Sequence, residues 1–350
     1  MKKRRTIHFV YATPRSFTDK IAMRLFNRKL FHPSWERYKW PIPVPAPLSI
    51  TYQVAKSLSA DFRVKLYDLR ERIEIVPVEG DILLGHMWPD PDSIMWRAID
   101  NPKFSRRYLI SPYNHDPVQV TFLREALGKC DKFFAICGQY WLDTFDQSPM
   151  AEFRAKFVRL EMGIDMADYP LVKTSFNPPG KRKFFYIGRI GNEKGVDLLE
   201  KIATEIPGFS GGYICMCGDI KGWEKIAEPR KLTPDFMRQV AEEYDIFINM
   251  SRADAQVTTV LEAMCWGFPV ACTRQSGYTE DNSLYYLELT DEEKTVSTLK
   301  MLQEIDSTEL KRIADINRKI VADKYNWRQF VTTISDCVTK DIYNDVRQCD

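Results

Sequence analysis

The sequence predicts an α/β protein with two doubly wound, mostly parallel sheets. Short apolar runs typical of strands alternate with segments of helical periodicity along the chain. The 350 residues are 44% hydrophobic, which is enough to form the cores of two domains. A polar stretch rich in proline and glycine, residues 173–182, separates two series of predicted strands and indicates a linker.

The overall charge argues against a nucleic-acid-binding protein. The net charge is +2, from 50 Lys and Arg against 48 Asp and Glu, which gives no case for nucleic-acid binding.

No apolar run reaches the roughly 18 residues of a membrane span. The N-terminal apolar run is short and contains His8, so it predicts a strand and not a signal peptide. The eight cysteines form no CxxC pair, which indicates reduced thiols in a cytoplasmic protein.

The first half of the chain is predicted to contain six strands, at residues 6–12, 63–67, 81–85, 107–111, 132–137 and 157–163. His86 directly follows the third strand, and His115 follows the fourth strand a few residues later. Because the carboxyl ends of parallel strands lie at one edge of a sheet, we expect both histidines at that edge. Each could serve a site or only the packing of the sheet.

Residues 17–40 allow two interpretations. Phe17, Ile21 and Leu25 share a helical face, and cations lie away from it. A basic amphipathic helix followed by aromatic residues can lie in a membrane interface. The same apolar face can instead pack on the sheet.

The second half begins with a predicted strand, Lys183–Ile187, followed by the glycine-rich loop Gly188–Gly195 and a helix. Glycines allow a close approach to a phosphate, and the N-terminus of a helix favours anions. Arg189 and Lys194 add positive charge to this loop. Its spacing matches neither Walker A nor GxGxxG. The alternative is an exposed basic loop.

The stretch Ser251–Pro269 follows an apolar run and contains two carboxylates, Asp254 and Glu262. Asp254 is expected in a loop at the end of a strand. Thr259 and Glu262 predict a capping box at the start of the next helix, and Gly267 predicts its end. The alternative is that Glu262 only caps the helix and that Asp254 is solvated.

These motifs resemble family 4 retaining glycosyltransferases of the GT-B fold. The family signature has an acid, seven residues, Glu, then Ala-Met and Gly-x-Pro-Val. The chain matches it through Glu262-Ala263-Met264 and Gly267-Phe268-Pro269-Val270, but has Asp254 where Glu is usual and Ala255–Val257 where Gly-aromatic-Gly is usual. The family's Gly-Arg and Glu-Lys-Gly correspond to residues within Gly188–Gly195.

The resemblance implies two Rossmann-like domains facing a cleft. Residues 1–173 would form the acceptor side, residues 183–327 the nucleotide-sugar domain, and residues 328–350 a helix packing back on the first domain. It implies catalytic roles for Asp254, which would face the donor sugar, and for His115. It implies that the donor is bound by Gly188, Arg189, Lys194, Gln256, Val257, Thr258 and Glu262.

The function implied is retaining transfer of a sugar from a nucleotide-diphosphate sugar to a glycan or lipid-linked acceptor, in the synthesis of cell-surface polysaccharides or glycoconjugates. No metal or other cofactor is expected. The protein would be cytoplasmic, at the inner face of the membrane if residues 17–40 bind lipid. The departures around Asp254 leave two alternatives open: a non-catalytic nucleotide-sugar-binding subunit, and a nucleotide-sugar epimerase or hydrolase.

Overall fold

The computed structural model describes residues 4–13, 46–216, 218–278 and 283–347. The chain divides into two compact units. Unit 1 contains residues 1–136, 144–160 and 327–350, and unit 2 contains residues 137–143 and 161–326. Each has a parallel six-stranded sheet with helices beside it. The predicted α/β class with two doubly wound sheets is confirmed.

The sheet of unit 1 has the strand order β2-β1-β3-β4-β5-β6. Its strands are β1 (Thr6–Tyr11), β2 (Arg63–Asp68), β3 (Asp81–Gly85), β4 (Phe104–Pro112), β5 (Lys132–Ile136) and β6 (Phe157–Leu160). Its helices are α1 (Ala46–Leu58), α2 (Ile94–Ile99), α3 (Pro117–Lys129) and the C-terminal α10 (Trp327–Arg347), which packs on α1. Helix α4 (Gln139–Asp146) is divided between the units.

The central strands of unit 1 are apolar because both faces of the sheet are covered. All of β3 is buried, whereas the edge strand β2 alternates between buried and partly exposed residues. His8 on β1 is fully buried and lies 3.0 Å from the Asp81 carboxylate and 2.9 Å from the Tyr67 hydroxyl. Burial lowers the pKa of His8, so it is a neutral residue of the core.

The sheet of unit 2 has the strand order β12-β11-β10-β7-β8-β9. Its strands are β7 (Phe184–Arg189), β8 (Gly211–Met216), β9 (Glu224–Lys225), β10 (Ile246–Asn249), β11 (Val270–Thr273) and β12 (Tyr285–Leu287). Its helices are α5 (Val196–Glu205), α6 (Pro234–Glu243), α7 (Thr258–Trp266), α8 (Glu292–Glu304) and α9 (Ser307–Lys324). The strand order reverses between β7 and β10, which is where doubly wound sheets bind ligands.

The segment that the sequence suggests as a linker is packed into unit 2. The Lys173 ammonium is buried 3.0 Å from the Asp245 carboxylate and donates to the Ala241 carbonyl at 2.8 Å. Arg182 is also buried and donates to the Ile305 carbonyl at 3.0 Å. Both ends of this segment are therefore packed within unit 2. The domain limits expected from the sequence stay a prediction.

The start of helix α7 corrects one prediction. The helix begins at Thr258, and its N-cap residue Val257 provides no side-chain hydrogen bond, so the predicted capping box is wrong. Glu262 is the fifth helical residue, too far along the helix to reach the cap, and its carboxyl hydrogen-bonds to Tyr169 instead. The end is as predicted, with Gly267 in the left-handed conformation at φ 91°.

The predictions about membrane contact and metal binding can be compared with only part of the chain. Residues 17–40, the predicted amphipathic and membrane-binding segment, lie outside the described residues. Within the described ranges, no helix is long and apolar enough to cross a membrane. The same ranges contain no group of three or more His, Cys, Asp or Glu that could hold a metal ion.

Candidate active site

The phosphate-cradle loop, Gly188–Gly195, connects β7 to α5 at the point where the strand order of unit 2 reverses. It contains a short 3-10 turn that ends at Gly195, whose φ is 64°. A side chain at Gly195 would overlap the Met250 carbonyl oxygen at the end of β10. Only glycine therefore allows this backbone conformation and this close approach.

The acid loop, Ser251–Val257, follows β10 and is hydrogen-bonded to the cradle loop. The Arg252 amide donates to the Glu193 carbonyl at 2.8 Å. The Arg252 guanidinium donates to the Asn192 carbonyl at 2.9 Å and to both carboxylate oxygens of Asp197 at 2.6 Å. Asp197 lies in the first turn of α5, so Arg252 joins the two loops and the helix. Arg252 was not predicted, because its partners lie 55 to 60 residues away in sequence.

The structure brings together two of the predicted site residues. The Lys194 ammonium forms an ion pair with the Asp254 carboxylate, with side chains only 15% and 21% exposed. The backbone of Asp254 is fixed on both sides: its amide donates to the Gln275 carbonyl at 3.0 Å, and its carbonyl accepts from the Trp141 indole at 2.6 Å. The group predicted to bind the diphosphate thus contacts the group predicted to face the sugar.

The other predicted cation of the cradle loop is differently placed. The Arg189 side chain is 66% exposed, and its guanidinium lies 3.5 Å from the Glu193 carboxylate. Gly188 comes just before it, at the end of β7, where a side chain would overlap the Tyr186 hydroxyl. That hydroxyl donates to the Arg189 carbonyl at 2.8 Å and so shapes the start of the loop. The alternative interpretation of this loop, an exposed basic segment, therefore fits Arg189 but does not fit Lys194.

Three consecutive residues, at the end of the acid loop and the start of α7, are predicted to bind the sugar donor. Their surroundings differ. The Val257 amide already donates to the Ser276 carbonyl at 3.1 Å. The Gln256 side chain is buried; its amide nitrogen bonds to Glu161, and its oxygen accepts from the Met162 amide at 2.6 Å. Thr258 is the first residue of α7, where backbone amides have no partner within the helix. It is the best placed of the three to meet an anion.

Glu262 lies on α7 with its side chain half-buried. Burial raises the pKa of its carboxyl to about 7, and the hydrogen bond from Tyr169 opposes that rise. A carboxyl that titrates near neutrality can both accept and donate hydrogen bonds to hydroxyl groups.

The two predicted histidines of unit 1 follow neighbouring strands, β3 and β4, as expected. The Nδ1 atom of His86 lies 2.6 Å from the Ser111 hydroxyl. Its ring contacts those of Tyr11 and Trp88, at centroid distances of 5.5 and 6.0 Å. Burial lowers the pKa of His86 to about 4, so His86 is neutral near pH 7.

His115 has an unusual backbone. Its φ of 52° makes it the only non-glycine residue with a positive φ in the described ranges. Its Nδ1 atom lies 2.6 Å from the Tyr113 hydroxyl, and burial lowers its pKa. Asp116 then caps helix α3 by accepting from the Val118 amide at 2.9 Å. A positive φ is uncommon for a non-glycine residue, and strained backbone conformations cluster at functional sites. The backbone of His115 is therefore a second reason to consider it as a site residue.

Comparison with known protein sequences finds a relative that matches part of this chain. No family model matches the chain. The chain is 26% identical over 179 residues to the sulfoquinovosyl transferase SQD2 of Arabidopsis thaliana. This match covers 47% of the chain and 34% of SQD2, so the chain spans about a third of the length of that curated relative.

Solved structures match nearly the whole chain. Sucrose-phosphate synthase from Thermosynechococcus elongatus has a TM-score of 0.62 at 10% identity, covering 99% of this chain and 100% of that one. Anabaena HepE, solved with UDP and glucose, has a TM-score of 0.60 at 10% identity, covering 96% and 100%. The chain has the GT-B fold. At this level of identity the likeness establishes the fold of the chain and not its activity.

Proposed function

We propose that the chain is a retaining glycosyltransferase that moves a sugar from a nucleotide-diphosphate sugar to a glycan or lipid-linked acceptor, in the synthesis of polysaccharides or glycoconjugates. The observation that carries this proposal is the contact between Lys194 and Asp254 at the reversal of strand order in unit 2. A cation for phosphate and an acid for sugar hydroxyls lie side by side, where a doubly wound sheet binds nucleotides.

The diphosphate would bind at the cradle loop. Helix α5 begins there, and the N-terminus of a helix favours an anion. Lys194 supplies a largely buried positive charge, and Arg189 an exposed one. As the bond to the sugar breaks, negative charge grows on the departing diphosphate, and both cations stabilise it. A charge-assisted hydrogen bond of this kind contributes about 1.5–3 kcal/mol.

Asp254 would act on the sugar. Its fixed backbone places a carboxylate that can accept hydrogen bonds from sugar hydroxyls and so orient the reacting carbon. In the free protein this carboxylate is paired with Lys194. A diphosphate carries more negative charge than one carboxylate, so it would compete for Lys194 and leave Asp254 to the sugar. The acceptor would attack from the face that the diphosphate leaves, as the family resemblance implies.

The relatives support this choice of substrate class. SQD2 is a sulfoquinovosyl transferase, and HepE binds UDP and glucose. Thermal-shift screening against UDP, GDP, dTDP and their sugars tests the proposal directly. A ligand at a hundred times its dissociation constant adds about 2.7 kcal/mol of stability. No stabilisation by any of these compounds would contradict the proposal.

A matched pair of variants locates the binding. Lys194→Ala should weaken binding of the stabilising nucleoside diphosphate by about tenfold or more in titration calorimetry, because a charged hydrogen bond is lost. Binding of the free nucleoside should be nearly unchanged. Lys201→Ala is the control, because Lys201 is a lysine of α5 that pairs with the Glu292 carboxylate at 2.5 Å. Equal losses in both variants would reject the cradle assignment.

Product analysis separates the alternatives. Release of free sugar without an acceptor would indicate a hydrolase, and a changed sugar on the nucleotide would indicate an epimerase. Nucleotide binding without turnover, together with a need for a partner chain, would indicate a non-catalytic subunit.

Membrane contact through residues 17–40, and with it a position at the cytoplasmic face, is part of the proposal that rests on the sequence alone. Lys20, Arg24 and Arg28 would meet anionic head groups, so salt should weaken binding. Sedimentation with vesicles containing anionic lipid should show binding at low salt that is lost at high salt. Absence of the protein from the pellet at low salt would remove this part of the proposal.

A further inference from the structure

The Tyr113 hydroxyl is held in a fixed position inside unit 1. Tyr113 is fully buried, and its amide donates to the Ile136 carbonyl at 3.0 Å. Its ring packs edge-to-face against three phenylalanines at centroid distances of 5.6 to 6.2 Å, namely Phe133, Phe145 and Phe157. Because aromatic contacts surround the ring, its hydroxyl has little freedom to move.

That hydroxyl holds the ring of His115. The oxygen lies 2.6 Å from Nδ1, and the two rings are perpendicular at 89°. The backbone on either side is also fixed: the Asn114 amide donates to the Gln119 side chain at 3.1 Å, and the Asp116 amide donates to the Asn114 side chain at 3.2 Å. These bonds offset the cost of a left-handed backbone conformation at a non-glycine residue.

The protonation of the ring follows from this arrangement. Burial lowers the pKa of His115, so the ring is neutral near pH 7, with one nitrogen donating and the other accepting. A phenol hydroxyl is a good donor, and an unprotonated imidazole nitrogen is a good acceptor. A hydrogen bond from Tyr113 to Nδ1 therefore places the ring proton on Nε2.

We propose that Tyr113 is a positioning residue that keeps the proton of His115 on Nε2, so that the ring presents one fixed N–H donor at the carboxyl edge of the unit 1 sheet. The inference rests on the proposed function, together with the catalytic role that the family resemblance implies for His115. Tyr113 itself touches no substrate and acts only through the orientation and tautomer of the histidine.

Nitrogen NMR of 15N-histidine-labelled protein tests the tautomer without any substrate. The chain has four histidines, so His115→Gln assigns the His115 signals. In the wild type, His115 should show a protonated Nε2 and an unprotonated Nδ1. Tyr113→Phe keeps the packed ring and removes only the hydroxyl, so the signals should move towards a mixture of tautomers. Wild-type signals of a protonated Nδ1, or an unchanged ratio in Tyr113→Phe, would overturn the proposal.

The control is Tyr108→Phe. Tyr108 is a buried tyrosine of β4, the strand that ends just before Tyr113, and its hydroxyl donates to Asp341 at 3.0 Å and not to a histidine. This variant also loses a buried hydroxyl, so it reports the effect of destabilisation alone. It should leave the His115 signals unchanged. A change of the His115 tautomer in Tyr108→Phe as large as that in Tyr113→Phe would also overturn the proposal.

Kinetics with a donor found by the screen adds a second measurement. Tyr113→Phe should lower kcat about tenfold, the scale of one misplaced hydrogen bond, with KM changed less than about twofold. Tyr108→Phe should keep kcat. If no donor is turned over, the proposed function fails while the NMR result still decides the tautomer. If the wild type is active and Tyr113→Phe keeps full kcat, the positioning role is wrong.

Discussion

The carboxyl edges of the two sheets differ in how they hold their polar groups. In unit 2, the edge is built from ion pairs, Lys194 with Asp254 and Arg252 with Asp197. In unit 1, the edge holds two neutral histidines, each hydrogen-bonded to a hydroxyl group. Paired charges can be exchanged for a charged ligand, whereas neutral donors and acceptors suit hydroxyl groups. Unit 2 is thus suited to a diphosphate and unit 1 to an uncharged, hydroxyl-rich group.

The two units also differ in how protonation affects their stability. In unit 1, burial lowers the pKa of His86 to about 4, so the folded state resists protonation. In unit 2, burial raises the pKa of Glu262 to about 7, so the folded state resists deprotonation. The free energy of unfolding falls over any pH range in which the unfolded state binds or releases a proton that the folded state does not. Acid should therefore destabilise unit 1, and a rise through neutral pH should destabilise unit 2.

The largest effect is expected at the charged edge. Asp254→Ala should lower the rate by about a hundredfold or more with the correct donor and acceptor, the scale of one lost charged contact. Nucleoside diphosphate affinity should instead rise severalfold, because Lys194 loses the carboxylate that competes with phosphate. Steady-state kinetics and titration calorimetry measure the two quantities.

The control for Asp254 is Asp235→Ala. Asp235 is an exposed acid of α6 that pairs with Arg238, so it tests the general effect of removing a negative charge from unit 2. It should change neither rate nor affinity. Full activity in Asp254→Ala would end the assignment of this residue. A fall in diphosphate affinity would show that Asp254 does not compete for Lys194.

Glu262→Gln should remove the sensitivity of unit 2 to neutral pH. Below pH 4.5 the wild-type carboxyl is protonated in both the folded and unfolded states, so the variant should match its stability. As the pH rises from 4.5 through about 7, the wild type should lose on the order of 3 kcal/mol of stability that the variant keeps. Thermal unfolding of both proteins from pH 4.5 to 8 measures the difference. Parallel pH profiles would show that the pKa of Glu262 is not raised.

His86→Gln should act in the opposite direction. Above pH 6.5 the ring is neutral in both states and its contribution to stability is complete. As the pH falls from 6.5 to about 4, the unfolded state binds a proton that the folded state does not, and the wild type loses on the order of 3 kcal/mol of stability. The variant should not show this loss, although it is less stable at every pH because a packed ring is removed. An equally steep acid loss in the variant would show that His86 is not responsible.

Much of the fold and part of the site could be predicted because they depend on local pattern. Apolar runs of four to six residues identify the buried strands, and residues at strand ends must meet at one edge. This placed the two histidines on unit 1, and it placed Lys194 and Asp254 on unit 2. The place of each residue followed from the end of a strand or from the loop after it, whereas its role came from the family resemblance.

The contacts that fix the site could not be predicted, because they join distant residues by their exact geometry. The Trp141 indole meets the Asp254 carbonyl across 113 residues, and the Met162 amide meets Gln256 across 94 residues. No periodicity relates such positions. The capping box failed for a related reason: Glu262 has a tertiary partner, Tyr169, which the local pattern does not contain.

The smallest effect is expected from loosening the link between the two loops of unit 2. Arg252→Lys keeps the charge but cannot donate to both oxygens of Asp197 while also reaching the Asn192 carbonyl. The pair is partly exposed, so the loss of stability should be only about 0.5–1 kcal/mol. Diphosphate affinity should fall about two- to fivefold, because Lys194 is less firmly placed. Asp197→Asn should cause a similar loss, and the double variant should be no worse than either, since both changes break one interaction. Arg238→Lys, which alters the exposed pair with Asp235, should leave affinity unchanged. If the losses from Arg252→Lys and Asp197→Asn simply add, the two residues act separately and the link between the loops is not what positions Lys194.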